Sequence, residues 1–348
     1  DVERSRGLGD VYKRQIYYPF MVLAMTVALS SCDDFLDEMP DNRTELDTEA
    51  KITSMLVSAY PETNYALLAE MSSDNADDNG GTWTAYNKLQ EEAATWKDAT
   101  YKEEDSPYSL WNDCYKAIAA ANAALDAINT MGNPSSLDPQ RGEALLCRAY
   151  NHFVLVNIFS KAYSPKTSTT DLGIPYMTHL ETTVSPEYTR GTVAEVYEKI
   201  AADIEAGLPL LNDAIYSVPK YHFNKKAGYA FATRFYLYYV KDDKSNYDKA
   251  IQYATVVLTE NPTAMLRDWA TVGALSPNNS IRATAFINVS EKANLLLYST
   301  SSSWGRIHGP YGLGEKYTHN DMIANKETCK TISCLLYTSD AADDLTRV

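Results

Sequence analysis

Cys32 is the residue with the most definite chemistry. It closes the apolar run Ile16 to Ser31, IYYPFMVLAMTVALSS, and directly follows Leu29, Ser30 and Ser31. Small residues ahead of a cysteine suit a signal-peptidase groove, and the thiol is the nucleophile that accepts diacylglycerol before cleavage. The run is too short and too Pro-interrupted to span a bilayer, so it reads as a secretion signal. Asp33 and Asp34 follow at once, which argues against a buried free thiol at the end of a helix. Lipidation of Cys32 is therefore the expectation.

The other chemistry-bearing residues do not assemble into a catalytic pattern. His152, His179, His222, His308 and His319 show no HExxH or paired metal spacing, and neither GxSxG nor a P-loop occurs. His152 stands beside Phe153 in a helical stretch and reads as a core or capping residue. Adjacent carboxylates such as Asp77 with Asp78, or Glu103 with Glu104, could serve glycoside hydrolysis but read first as solvated surface. Asp74, Asp77, Asp78, Asn79 and Gly80 resemble a calcium loop only loosely, lacking EF-hand spacing and its terminal glutamate. No enzyme, metal or cofactor is expected. The cysteines at 32, 114, 147, 329 and 334 contain no CxxC pair, so disulfides are not expected to organise the fold.

Aromatic residues point to binding instead. The chain has 26 tyrosines and 5 tryptophans, more than a helical core of this size needs. A flat apolar ring with a polar edge stacks on the C–H face of a sugar while the sugar hydroxyls find hydrogen bonds. Most tyrosines should still be structural. The candidates for ligand contact lie in two irregular segments: Trp83, Tyr86 and Trp96 in the first, Trp304 and Tyr311 in the second. A large ring in a Gly-, Ser- and Asn-rich loop must either pack on the body or wait for a ligand. Asp74, Asn75 and Asn79 could supply the oriented hydrogen bonds that separate one sugar epimer from another.

The scaffold that must position these residues is mainly α. Apolar content of 45% over 348 residues supports a substantial core. A net charge of −15 argues against nucleic acid, since phosphate binding needs a basic face. Helical periodicity predicts helices over 51–60, 107–128 and 141–159, with MGNP stopping the second. Thr48 should cap the first, and Asp138 with Pro139 the third. Thr192 and Glu195 form a capping box for a helix ended or kinked by Pro209. Asn224 and Asn246 should cap two more, running to about Val240 and Leu258. The last pair spans close to a tetratricopeptide unit, with small Ala227, Ala230, Ala250 and Ala254 at close-packing positions. Residues 72–87 read as one long loop, and AFINV or NLLLY as a short strand beside the late excursion.

The ends read differently from the body. Residues 1–15 and 334–348 lack periodicity and read as non-native read-through; 16–31 is the signal and 32–47 a polar tether. The remaining 48–333 reads as one helical domain truncated at its C-terminus.

The lipobox followed by DDFLDEMP, the WNDCYKAIAAANAAL helix, EALLCRAYNHFVLVNIFSKA with GIPYMT, TVAEVYEKIAADIEAGLPLL, and FNKKAGYAFATRFYLYYVKD with NYDKAIQYATVVL occur in that order. Together they resemble the N-terminal half of SusD/RagB proteins over roughly 32–258. The resemblance implies an outer-membrane lipoprotein of the Bacteroidota with tetratricopeptide-like helices. It also implies an oligosaccharide, glycan or, as in RagB, peptide ligand, and a SusC-like TonB-dependent transporter as partner. A surface glycoside hydrolase is the distant alternative.

Overall fold

The computed structural model describes residues 46–80, 84–181, 186–276, 279–307, 315–320 and 323. All of them fall in one compact unit, Leu46–Val348. Cys32, the expected signal over 16–31, the expected tether up to residue 45, and residues 1–15 and 334–348 lie outside the described residues.

In chain order the elements are helix α1 (Glu49–Leu56), α2 (Ala66–Met71), strand β1 (Ala76–Asp78), α3 (Lys88–Ala94), α4 (Pro107–Thr130), α5 (Asp138–Phe159), α6 (Val193–Gly207), α7 (Lys225–Tyr238), α8 (Ser245–Leu258), α9 (Trp269–Ala274), α10 (Asn279–Phe286), α11 (Trp304–Ile307) and strand β2 (Tyr317–His319). The protein is mainly helical, and successive helices pair.

The helix starts follow capping chemistry. Thr48 Oγ1 accepts from the Lys51 N–H at 3.3 Å, and Asn224 Oδ1 from the Ala227 N–H at 3.0 Å. At α6 the reciprocal box is present: Thr192 Oγ1 accepts from the Glu195 N–H at 3.2 Å, and Glu195 Oε2 from the Thr192 N–H at 2.8 Å. Ser106 caps α4 ahead of Pro107. Past its end, Gly132 takes φ +83° and the Asn133 N–H returns to the Ile128 carbonyl at 3.0 Å, so MGNP stops the helix as a left-handed cap.

The core is organised around α5, whose buried residues fall on every side of the helix. A seven-residue connection lays α4 antiparallel against it. On its other side α6 runs antiparallel too: Gly142 meets Gly207, Arg148 meets Asp203, and Asn157 meets Tyr197. The first of these contacts is very close. A Cβ on Gly142 would stand 2.9 Å from the Gly207 carbonyl oxygen, and one on Gly207 would stand 3.0 Å from that of Gly142. Only two glycines allow the backbones this approach. The α7–α8 pair is held to α5 and α6 by rings: Phe153 lies 5.8 Å from Phe231, and Tyr197 lies 5.6 Å from Phe235. Tyr60, Tyr197, Tyr236 and Tyr239 are buried here, so much of the tyrosine excess is core.

Two buried ionic centres pin the loops to this core. Arg148 makes a two-pronged pair with Asp203, Nε to Oδ2 and Nη2 to Oδ1, each 2.7 Å. Its Nη1 donates to Asn122 Oδ1 at 3.0 Å and to the Thr178 carbonyl at 3.2 Å, while the Tyr176 hydroxyl donates to Asp203 at 2.6 Å. His152 stacks on Tyr176 at 3.8 Å and accepts from the Met177 N–H at Nε2, 3.0 Å. Its Nδ1 faces the Arg148 carbonyl at 2.8 Å and therefore carries the proton. His152 is thus a neutral core residue that fastens the 173–179 segment. The fully buried Glu143 carboxylate accepts from the Tyr60 and Tyr216 hydroxyls at 2.7 and 2.6 Å, with His222 Nδ1 at 2.9 Å. Cys114 and Cys147 are buried free thiols, both pushed up by burial, Cys114 to about 12.

Four local expectations are corrected. Asp138 does not cap α5: it is the helix's first residue, behind Leu137, and no side chain caps that end. Asn246 does not cap α8: the helix starts at Ser245 behind Lys244 in the left-handed region (φ +58°), and the Asn246 amide is buried, donating to the Tyr239 carbonyl at 2.7 Å. AFINV is not a strand, because Ala285 and Phe286 end α10. NLLLY forms no ladder and runs as an extended strap, with the Leu297 N–H donating to the Lys220 carbonyl at 2.7 Å.

Candidate functional site

The two irregular segments, far apart in sequence, come together in the fold. β1 from the early excursion pairs antiparallel with β2 from the late one, Ala76 opposite His319 and Asp78 opposite Tyr317. Around this ribbon α2, α3 and α11 bury a small apolar cluster of Leu67, Met71, Ala93 and Ile307, separate from the main core.

Polar contacts hold the module along its length. The Asn79 N–H donates to the Lys316 carbonyl at 2.8 Å, and the Asn320 N–H to the Asn75 carbonyl at 2.7 Å. Gln90, buried on α3, donates to the Tyr317 carbonyl. Lys316 pairs with Asp78 at 2.7 Å, and that hydrogen bond together with the Gly80 N–H holds the Asp78 carboxyl below the usual carboxylate range. At the junction with α4, Asp105 is buried in the left-handed region (φ +62°) and accepts from the Ser303 N–H at 2.6 Å. Glu104 accepts from the Ser303 hydroxyl at 2.7 Å and from that of Ser301. Burial raises the Asp105 carboxyl.

The sequence candidates distribute over this module as follows. Trp96 follows α3 and is 79% exposed, with φ +53°, a conformation a bulky side chain seldom adopts. Glu92 holds it there: the Lys97 N–H returns to the Glu92 carbonyl at 2.9 Å, and the Glu92 carboxylate accepts from the N–H groups of Thr100 and Tyr101 at 2.9 and 3.0 Å. Burial alone would raise that carboxyl, but these bonds, the Thr100 hydroxyl and Lys88 outweigh it and bring it down to about 2. Trp96 borders a crevice of about 130 Å³ with Leu68 and Ser72 of the α2 end. Tyr86 is exposed just ahead of α3, and Trp304, also exposed, opens α11. Asp74 is exposed at the ribbon's edge. The Asn75 and Asn79 amides are engaged within the module, with Glu70 Oε1 at 2.9 Å and the Glu315 carbonyl at 3.2 Å. Trp83 and Tyr311 lie outside the described residues.

Sequence reading missed Glu92, Gln90 and Asp105 and took Glu104 for solvated surface, whereas all four build the module. The signal for the first two was a polar pair in register with Leu89 and Ala93 on a short amphipathic helix. Among the described residues no three His, Cys, Asp or Glu converge to hold a metal, and no helix is long and apolar enough to cross a membrane.

A scaffold of paired helices carrying a two-segment surface module defines the architecture. Residues 34–237 match the family model described as starch-binding and associating with the outer membrane, and the chain belongs to this SusD-like family. No curated protein matches the chain. Solved structures share the fold. A SusD superfamily protein from Bacteroides vulgatus is 22% identical, with 67% of this chain and 51% of that one aligned and a TM-score of 0.50. A candidate sugar-binding protein from the same species is 21% identical, covering 72% of this chain and 53% of that one at a TM-score of 0.50. A SusD superfamily protein from Bacteroides fragilis is 18% identical, over 62% and 50%, at a TM-score of 0.50. The chain thus spans about half the length of these relatives.

Proposed function

We propose that this protein is a non-enzymatic surface lipoprotein that binds oligosaccharide or glycan nutrients and hands them to a SusC-like TonB-dependent transporter. The observation that carries the reading is the family match over residues 34–237, to a family described as starch-binding and outer-membrane-associated. Residues 16–31 would direct secretion, Cys32 would carry the lipid anchor, and the 32–47 tether would join it to the helical body. The β1–β2 module would be the ligand face, with Trp96, Trp304 and Tyr86 as stacking surfaces, and Trp83 and Tyr311, outside the described residues, as further sequence candidates. Asp74 would offer an exposed acceptor. The Asn75 amide, with one of its two N–H donors turned to Glu70, would keep the other for a ligand.

The test is titration calorimetry with malto-oligosaccharides beside a melting curve. Trp96→Ala and Trp304→Ala should each weaken binding several-fold while leaving stability within about 0.5 kcal/mol, as expected for exposed side chains. Unchanged affinity in both variants would remove the module as the ligand face. New reducing ends in the incubation would instead support a hydrolase. A tagged, full-length protein drawn from solubilised outer membrane should bring a large barrel with it.

A further inference from the structure

A second cavity lies between the start of α7, the end of α8 and the strap that follows α10. It encloses about 340 Å³, at the lower end of the size of small-ligand sites, about 300–1,000 Å³. Lys220, Lys226 and Lys292 line it, and none of its lining residues is an aspartate or glutamate. In a chain of net charge −15 this is a local reversal of sign.

The three ammonium groups are not there to satisfy neighbouring acids. Lys220 Nζ donates to the Glu291 main-chain carbonyl at 2.7 Å, and among the described residues Lys226 and Lys292 make no ion pair. Two nearby carboxylates are turned to other partners: Glu291 faces Arg267 at 3.7 Å and the Ala293 N–H at 3.0 Å, and Asp213 accepts from the Lys225 N–H at 2.8 Å, while Glu260, between the lining Thr259 and Asn261, is exposed. Lys226 also sits in the first turn of α7, where the helix end carries positive partial charge and its N–H has no partner within the helix. Lys226 and Lys292 are exposed and so are free to turn toward an anion entering the crevice. Met265 and Leu295 add an apolar wall, and Asn261 a further amide, to the same cavity.

We propose that this crevice is a second binding site, selective for an acidic sugar: a ring whose carboxylate or sulfate meets Lys226 and Lys292 while its C–H face lies on Met265 and Leu295. The anionic part of this assignment stands on the cavity alone; the sugar part rests on the glycan-binding reading above.

Titration of the full chain with digalacturonate, maltose and inorganic sulfate separates the possibilities. Digalacturonate should bind one-to-one, more weakly as salt is raised from about 50 to about 500 mM, because added ions screen the contact. Replacing Lys226→Met together with Lys292→Met should weaken it by at least about tenfold, the loss expected for charge-assisted hydrogen bonds. The same variant should keep its melting temperature and its malto-oligosaccharide affinity. Digalacturonate binding unchanged by the lysine replacements, or lost only with Trp96→Ala or Trp304→Ala, would overturn the second site and leave the glycan-binding reading intact. Loss on lysine replacement in a protein that binds no malto-oligosaccharide would sustain this site and count against that reading. Sulfate binding as tightly as digalacturonate would overturn the selectivity for a sugar.

Discussion

Replacing Arg148→Met or Asp203→Leu, singly and together, probes whether the 173–179 segment is fastened by charge or merely accompanies the helices. Both side chains are about 10% exposed, and the pair is closed by two 2.7 Å hydrogen bonds. Removing either partner leaves the other charge buried, a change that costs about 3–5 kcal/mol. In Arg148→Met the Asp203 carboxylate keeps only the Tyr176 hydroxyl; in Asp203→Leu the guanidinium keeps only Asn122 and the Thr178 carbonyl. The double variant buries no charge. It pays chiefly for the stranded Asn122 and Tyr176 groups, about 1–3 kcal/mol each at most. Summed single losses of about 6–10 kcal/mol against a double loss of about 2–6 kcal/mol give a coupling energy centred on about 4 kcal/mol. Urea unfolding of the four proteins, followed by far-ultraviolet circular dichroism, measures it. Single variants that each lose under about 1 kcal/mol, or losses that simply add, would refute the account of the pair as a buried, coupled unit.

Two further outcomes follow from the same core. Burial, with the Arg148 and Lys199 charges adding to it and the Arg148 carbonyl opposing, pushes the His152 imidazole down to about 3, so the folded state holds it neutral. The unfolded chain takes up that proton near the ordinary histidine value of about 6.5, so the contribution is complete above that pH and is lost as pH falls from about 6.5 toward about 3. Urea midpoints for the wild type and His152→Gln should therefore diverge in pH slope, by about 1.4 kcal/mol per pH unit between about pH 6 and 4; parallel slopes would contradict the buried neutral assignment. Gly207→Ala places a Cβ 3.0 Å from the Gly142 carbonyl oxygen and 3.2 Å from Leu145 Cβ, and the forced separation of α5 from α6 should cost about 1–3 kcal/mol in a thermal melt, whereas Gly273→Ala, in open space, should cost nothing.

The long helices were legible because their signals are local and redundant. Leu110, Cys114, Ile118, Ala121 and Ile128 recur on one face of α4, and Thr192 with Glu195 marks the start of α6 within four residues. Asn246 misled because it resembles a cap in composition, whereas the turn before α8 is made by Lys244 in the left-handed region and Asn246 serves the interior. The aromatic segments were recognised as excursions, but their union was not. Strands of three residues carry no readable periodicity, and their partner lies on the other side of the helical body. The buried Arg148, Asp203 and Glu143 were passed over for a related reason. Each sits within an apolar helical stretch, and nothing local says which distant charge or hydroxyl will meet it.

The ribbon that unites the excursions has a temporal meaning. The Asn79 amide and the Glu315 carbonyl it reaches are 236 residues apart, so their meeting closes a loop that holds most of the described chain. A two-stranded ribbon of three residues per strand is too small to persist alone and must wait for α2, α3 and α11 to bring it an apolar floor. During synthesis the α4–α5 hairpin, with its seven-residue connection, can condense as soon as it emerges. The β1 strand, by contrast, remains without its partner until residues near 317 have been made. A ribosome stalled between the two segments would carry a helical body already folded and a strand edge still unpaired, open to chaperones.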